Sequence, residues 1–180
     1  MAWPVTASRT VYENRWIRVD EDDVVMPDGS PGLYGVVTVR NDAVFVVPVD
    51  EEDRVLLVEV DRHTVGPSLE VPAGGSDGEE PLLAAQRELL EETGRTAAEW
   101  RRLGGMTALN GICRAPEHVF LARGLRLVDD DDDARREEGI RALRAVPLAD
   151  VPALVASGAV TDSETLAALL MAVVALGRLG

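Results

Sequence analysis

The chain has 180 residues, enough for one domain with a substantial core and at most a small appendage. With 46% hydrophobic and 28% charged residues it is not a wholly disordered chain, and no apolar run approaches the roughly 20 residues that a membrane span needs. A formal net charge of −14 disfavours nucleic acid and anionic membranes as partners, and the 18 basic residues are all arginine, which excludes Schiff-base and phosphate-loop lysine chemistry.

Met1-Ala2-Trp3-Pro4 lacks the basic and apolar regions of a signal peptide, and Cys113 is the single cysteine, so a cytoplasmic address is expected. From Val5 to Val25, aromatic and β-branched residues interrupted by charge predict short strands. Pro27–Gly32 is a turn, followed by Val-rich strands over Leu33–Arg40 and Ala43–Val49. Asp50–Asp53 turns the chain into a strand over Arg54–Val60, and Glu70–Gly75 leads into a glycine-rich loop. Pro81–Thr93 is the clearest helix, with proline in the first turn and Gly94 placed for a left-handed cap. His118–Ala122 predicts a strand, with Leu125–Val128 as its continuation or another strand. The acidic run Asp129–Asp133 and Arg135–Glu138 predict a loop before a strand over Ile140–Val146. Ala149–Ser157 predicts a short helix, and Thr161–Glu164 has capping-box spacing ahead of an apolar helix over Thr165–Leu176. Long strand-rich stretches with inserted helices give an α+β class.

On the Pro81–Thr93 helix, about 100° per residue places Glu88, Glu91 and Glu92 within an arc of about 100°. Leu82, Leu83, Leu89 and Leu90 fall on the opposite side, predicted to pack on a sheet. Like charges at these spacings repel, and Arg87 offsets only part of that. Hard divalent cations such as Mg²⁺ or Mn²⁺ favour oxygen ligands of this kind. A bare acidic arc equally describes a solvated surface face.

The flanking residues decide between these. Gly74-Gly75, Gly78 and Glu79 precede Arg87-Glu88-Leu89-Leu90-Glu91-Glu92-Thr93-Gly94, and this resembles the box of the Nudix hydrolases at the required spacing. Two positions depart: Ala73 stands where the first box glycine is expected, and Arg95 where an apolar residue is usual. Val55–Val58 with Arg62, then Glu70–Gly74, His118–Leu125 and Val146–Val151, are similar to the ADP-ribose pyrophosphatase branch. Leu69 in place of an aromatic residue and Leu109-Asn110-Gly111 in place of a proline depart from that branch.

The resemblance implies a Nudix fold: a mixed β-sheet between helices (36–180), with a small N-terminal antiparallel β region (1–35) that mediates homodimerisation. It implies metal-dependent cleavage of the diphosphate of a nucleoside-diphosphate compound, foremost ADP-ribose to AMP and ribose 5-phosphate. A GDP-mannose-type nucleotide sugar or an oxidised nucleoside triphosphate are alternative substrates. A non-catalytic module that binds a nucleotide sugar and regulates a partner is the alternative of another class. The implied metal ligands are Glu88, Glu91, Glu92 and the Ala73 carbonyl, holding roughly two or three Mg²⁺ or Mn²⁺ ions with substrate bound. Glu79 and Arg87 would orient the box by pairing, Arg62 and Glu70 would contact substrate, and Glu137 or Glu138 would be the general base. Asp130–Asp133 could instead recruit cations without fixed geometry. His63 and His118 are isolated and read as structural, and Cys113 as a small half-buried residue.

Overall fold

Three antiparallel strands open the chain in the computed structural model, which describes residues 3–128, 135–136 and 139–178. They are β1 (Val5–Glu13), β2 (Ile17–Val25) and β3 (Pro31–Val39), paired in sequence order. They pair antiparallel as expected, and the later β9 (Cys113–Arg114) adds to β3 in parallel. β1 is exposed along its whole length, on both faces.

The central sheet has the order β7-β4-β10-β8, with β4 (Ala43–Pro48), β7 (Ala73–Gly75), β8 (Arg95–Thr107) and β10 (Pro116–Leu127). β4 and β10 are parallel, and the outer pairings are antiparallel. A three-stranded sheet of β11 (Ile140–Pro147), β5 (Arg54–Arg62) and β6 (Gly66–Glu70) lies in the order β11-β5-β6. Helix α1 (Pro81–Thr93) covers one face of the central sheet, setting Ala84, Ala85 and Leu89 against Val44, Val46, Phe120 and Ala122. A 3-10 turn (Leu148–Asp150) and α2 (Val151–Ala156) lead to α3 (Ser163–Ala175). Ala168, Leu169 and Ala172 of α3 pack with Val47, Val119 and Leu121 on the other face, joined by Leu57 and Val71. This is the α+β arrangement expected, a mixed sheet between helices.

Several expectations are corrected. The approach to the glycine-rich loop adds two strands that the sequence did not announce, Gly66–Glu70 pairing as β6 with β5 and Ala73–Gly75 as β7 with β4. Strand β8 gives little sign in the sequence: it is a largely exposed outer strand, with Arg101, Arg102, Gly104 and Gly105 breaking any apolar alternation. The predicted capping box is replaced by a single cap, in which Asp162 rather than Thr161 accepts from the Thr165 amide at 2.7 Å. Glu164 instead accepts from the Ser163 hydroxyl, because the helix starts one residue later than that spacing assumes. On α1, Leu83 and Leu90 are exposed while Glu88 and Glu92 are buried. The helix therefore turns two of its acids, not all of its leucines, toward the sheet.

Candidate active site

The acids of α1 are held from three directions. The first is the helix itself. Pro81 opens it, the Glu80 carboxylate accepts from the Leu82 and Leu83 amides, and Gly94 closes it at φ 66. This rigid frame carries Glu88, Glu91 and Glu92 on adjoining turns.

The second is β7. Ala73 donates its amide to Glu92 Oε2 at 2.9 Å, and Gly75 accepts from Arg87 Nη2 at 2.8 Å through its carbonyl. Between them, Gly74 passes so close to Glu88 that an added Cβ would lie 2.2 Å from Glu88 Oε1. The glycine needed for close approach is thus at 74, and alanine is accommodated at 73. In the loop that follows, Asp77 stands in the left-handed region at φ 49 and Gly78 at φ 83. Ser76 anchors that loop by donating its amide to the Asp42 carbonyl at 2.8 Å.

The third is Arg87, whose donors reach every neighbouring acid on its side. Nε donates to Glu79 at 3.0 Å, and Nη1 donates to Glu88 at 2.7 Å and to Glu91 at 2.9 Å. Burial alone would lower its pKa, but its hydrogen bonds to Glu79 and Glu91 and the Glu88 charge outweigh that and raise it. Arg87 is the positive charge in this acidic setting.

Beside this group, Arg62 at the end of β5 pairs with the buried Glu70 at 2.6 Å. The bond to Glu70 and its charge raise the Arg62 pKa against the effect of burial, with smaller contributions from Glu92 and Asp162. Arg62, Glu70, Ala73, Glu79, Arg87, Glu88, Glu91 and Glu92 are therefore brought to one neighbourhood. Glu137 and Glu138, and the run Asp130–Asp133, lie outside the described residues. Among the described residues, no three Asp, Glu, His or Cys side chains are already gathered around one point suited to a metal ion. Glu88 and Glu91 share Arg87, and Glu92 faces the Ala73 amide. The donor set still fits a hard cation: three carboxylates on one helix, with Glu88 held against the Gly74 backbone and Glu92 on the Ala73 amide.

Three features were not legible from spacing. His118 is bridged, its Nε2 lying 3.0 Å from Asp42 and its Nδ1 3.0 Å from Arg102, which ties β10 to the turn before β4 and to β8. Glu117 is a buried acid at the start of β10. Gly74 owes its identity to Glu88, fourteen positions on, which no local pattern announces. His63 is exposed in the turn between β5 and β6, and Cys113 is half-buried.

Comparison with known proteins agrees with this geometry. Residues 39–169 match the NUDIX domain, and residues 3–37 match the nucleoside diphosphate sugar hydrolase N-terminal domain. The chain is 34% identical to an ADP-ribose pyrophosphatase of Mycobacterium tuberculosis, over 91% of this chain and 80% of that protein. It is 30% identical to an ADP-ribose pyrophosphatase of Bacillus subtilis, over 88% and 86%. It is 32% identical to a CMP-5'-(N-acetyl-N-hydroxy-3-aminopropyl)phosphonate hydrolase of Streptomyces rubellomurinus, over 98% and 84%. The crystal structure of an ADP compounds hydrolase superposes with a TM-score of 0.86 at 22% identity, over 100% of this chain and 97% of that one, which shows the fold. The chain belongs to the Nudix family and is a Nudix pyrophosphohydrolase.

Proposed function

We propose that this enzyme hydrolyses ADP-ribose to AMP and ribose 5-phosphate, with Glu88, Glu91, Glu92 and the Ala73 carbonyl holding Mg²⁺ or Mn²⁺. The observation that carries the reading is the cradle of two buried acids against β7, Glu88 on the Gly74 backbone and Glu92 on the Ala73 amide, in a chain whose relatives include two ADP-ribose pyrophosphatases. Nudix hydrolases generally use divalent cations. Roughly two or three such ions, when bound with substrate, supply the Lewis acidity that neutralises a diphosphate and acidifies an attacking water.

The chain's own residues do the rest. Glu79 and Gly75 fix Arg87, which keeps Glu88 and Glu91 in register while their mutual repulsion is high. Arg62, oriented by Glu70, presents a fixed guanidinium to a phosphate or terminal ribose. Glu137 or Glu138 takes the proton from water as it attacks phosphorus, and the P–O bond of the anhydride breaks with the leaving phosphate carrying away the electron pair.

The N-terminal region, 1–35, is proposed as a homodimerisation unit whose partner helps line the substrate site, supported by β1 being exposed on both faces. Among the described residues no helix is long and apolar enough to cross a membrane, and the lone Cys113 supports a cytoplasmic address.

The deciding experiment assays ADP-ribose, GDP-mannose, an oxidised nucleoside triphosphate and a CMP-phosphonate ester with Mg²⁺, with Mn²⁺ and with excess chelator, identifying products by mass. ADP-ribose should give the highest kcat/KM and yield AMP, with activity lost in chelator. A better substrate among the others moves the substrate assignment. Hydrolysis undiminished by chelator overturns the mechanism, and tight binding without turnover of any compound points to a regulatory module.

A further inference from the structure

Glu117 is a buried acid to which the hydrolytic reading gives no task. It is the second residue of β10, only 6% exposed, and its Oε2 has no hydrogen-bond partner. Alternation along β10 sets its side chain on the face of Val119 and Leu121, the face that packs against α3. From that side the carboxylates at the start of α3, Glu164 in its first turn and the cap Asp162, act on it electrostatically. The flanking strands place Ala43 of β4 and Met106 of β8 in register with it, and neither titrates.

The start of α3 is itself tied to the catalytic segment. The fully buried Thr165 donates its amide to the Asp162 cap, and its Oγ1 accepts the Val71 amide at 3.2 Å. Val71 lies between Glu70, which holds Arg62, and Ala73, whose amide holds Glu92. A displacement of the helix start therefore reaches both sides of the site through one strand connection.

We propose that Glu117 is a positioning residue for the hydrolytic reaction: lodged between β10 and the first turn of α3, it sets how closely that helix seats against the Glu70–Ala73 segment, and so where Arg62 and Glu92 are held. The catalytic part of this rests on the function proposed above; the seating does not. Burial first, and then the Glu164 and Asp162 carboxylates, push the Glu117 carboxyl up to about 7. Carrying its proton, Glu117 adds no charge against those two acids. Ionised, it adds a third negative charge in an enclosed space and drives the helix start outward. Because the carboxyl is raised from 4.5 in the folded protein, its contribution to stability is fully present below about pH 4.5 and is lost as pH rises through about 7.

The test compares metal-free wild type with Glu117→Gln, which keeps the shape and cannot ionise, by denaturant unfolding from pH 5 to 8. The wild-type folding constant should fall relative to the variant by on the order of 10²-fold across that range. Protection of the Val71 amide from hydrogen exchange should drop above pH 7 in wild type and hold in Glu117→Gln. In the metal-loaded enzyme, KM should rise above pH 7 in wild type with kcat changing less, and Glu117→Gln should remove that limb. Glu164→Gln leaves the buried position untouched and should move the wild-type limb to lower pH, which keeps the test available should Glu117→Gln fold poorly. A pH-independent difference between wild type and Glu117→Gln, or a limb that Glu164→Gln leaves in place, overturns the proposal. A stability limb with unchanged Val71 protection overturns it too, leaving Glu117 a buried acid without reach into the site. Unfolding and exchange use neither metal nor substrate, so failure of the ADP-ribose assignment would leave these readouts unaffected.

Discussion

A methyl group at position 74 would fall 2.2 to 2.5 Å from the three carboxylate atoms of Glu88. The atoms in the way are the far end of a flexible side chain, so the fold can yield where the site cannot. Gly74→Ala should therefore lower stability by only about 1 kcal/mol, at the mild end of overpacking effects. The rate should fall by about 10²-fold or more, the loss expected when a group that stabilises charge is moved out of place. Denaturant melts and steady-state kinetics on the same preparation separate the two quantities. Near-normal turnover in this variant would show that the Glu88 carboxylate works from another position. Glu79, Arg87, Glu88, Glu91 and Glu92 were readable as box residues from the resemblance, which rests on residues close together in the chain. The reason for Gly74 was not, because the contact runs between a strand and a helix.

At the scale of elements, the helices show which sequence rules carry over. Helix α1 has the bounds its proline, periodicity and glycine predict, since all three act within a turn or two of backbone. Its orientation was misread, because a leucine pattern says which residues are apolar and not which face the sheet covers. Leu83 at 56% exposure and Glu92 at 5% reverse the expected order. Strand β7 exists through pairing with β4, far back in the chain, and β8 through pairing with β10, while β6 closes a hairpin on β5; the residues of all three carry weak strand preference. For α3, the Asp162 cap gives a direct prediction. Asp162→Ala removes the acceptor for the Thr165 amide and should cost about 1 kcal/mol. That corresponds to a fall in Tm of about 2–4 °C for a domain of this size. Asp162→Asn should recover most of it, since asparagine caps as well. Equal losses in both variants would mean that the charge, and not the cap bond, supplies the stabilisation.

For the molecule as a whole, the N-terminal sheet is where the single chain is least complete. Every residue of β1 is exposed, and Val5, Val11 and Tyr12 on it and Trp16 just beyond it present apolar surface to solvent. A sheet whose outer strand β1 buries no residue gains most from being covered, and an unpaired outer edge invites pairing. Light scattering at tens of micromolar should return twice the 19.4 kDa chain mass. A variant starting at Leu33 should become monomeric or aggregate, with substrate affinity falling more than metal affinity. A monomeric full-length chain would remove both the dimer and any shared site.

What the sequence by itself determined is the α+β class, the bounds of α1, the spacing of the box acids and their arginine, and the family. These depend on residues close together in the chain, where spacing maps directly onto geometry. Tertiary structure alone decided which acids are buried, why glycine stands at 74, how Glu70 captures Arg62, and where Glu117 sits. Each of those is a meeting of elements separated in the chain, set by how the sheet and helices close-pack, and no local pattern encodes the distance of approach.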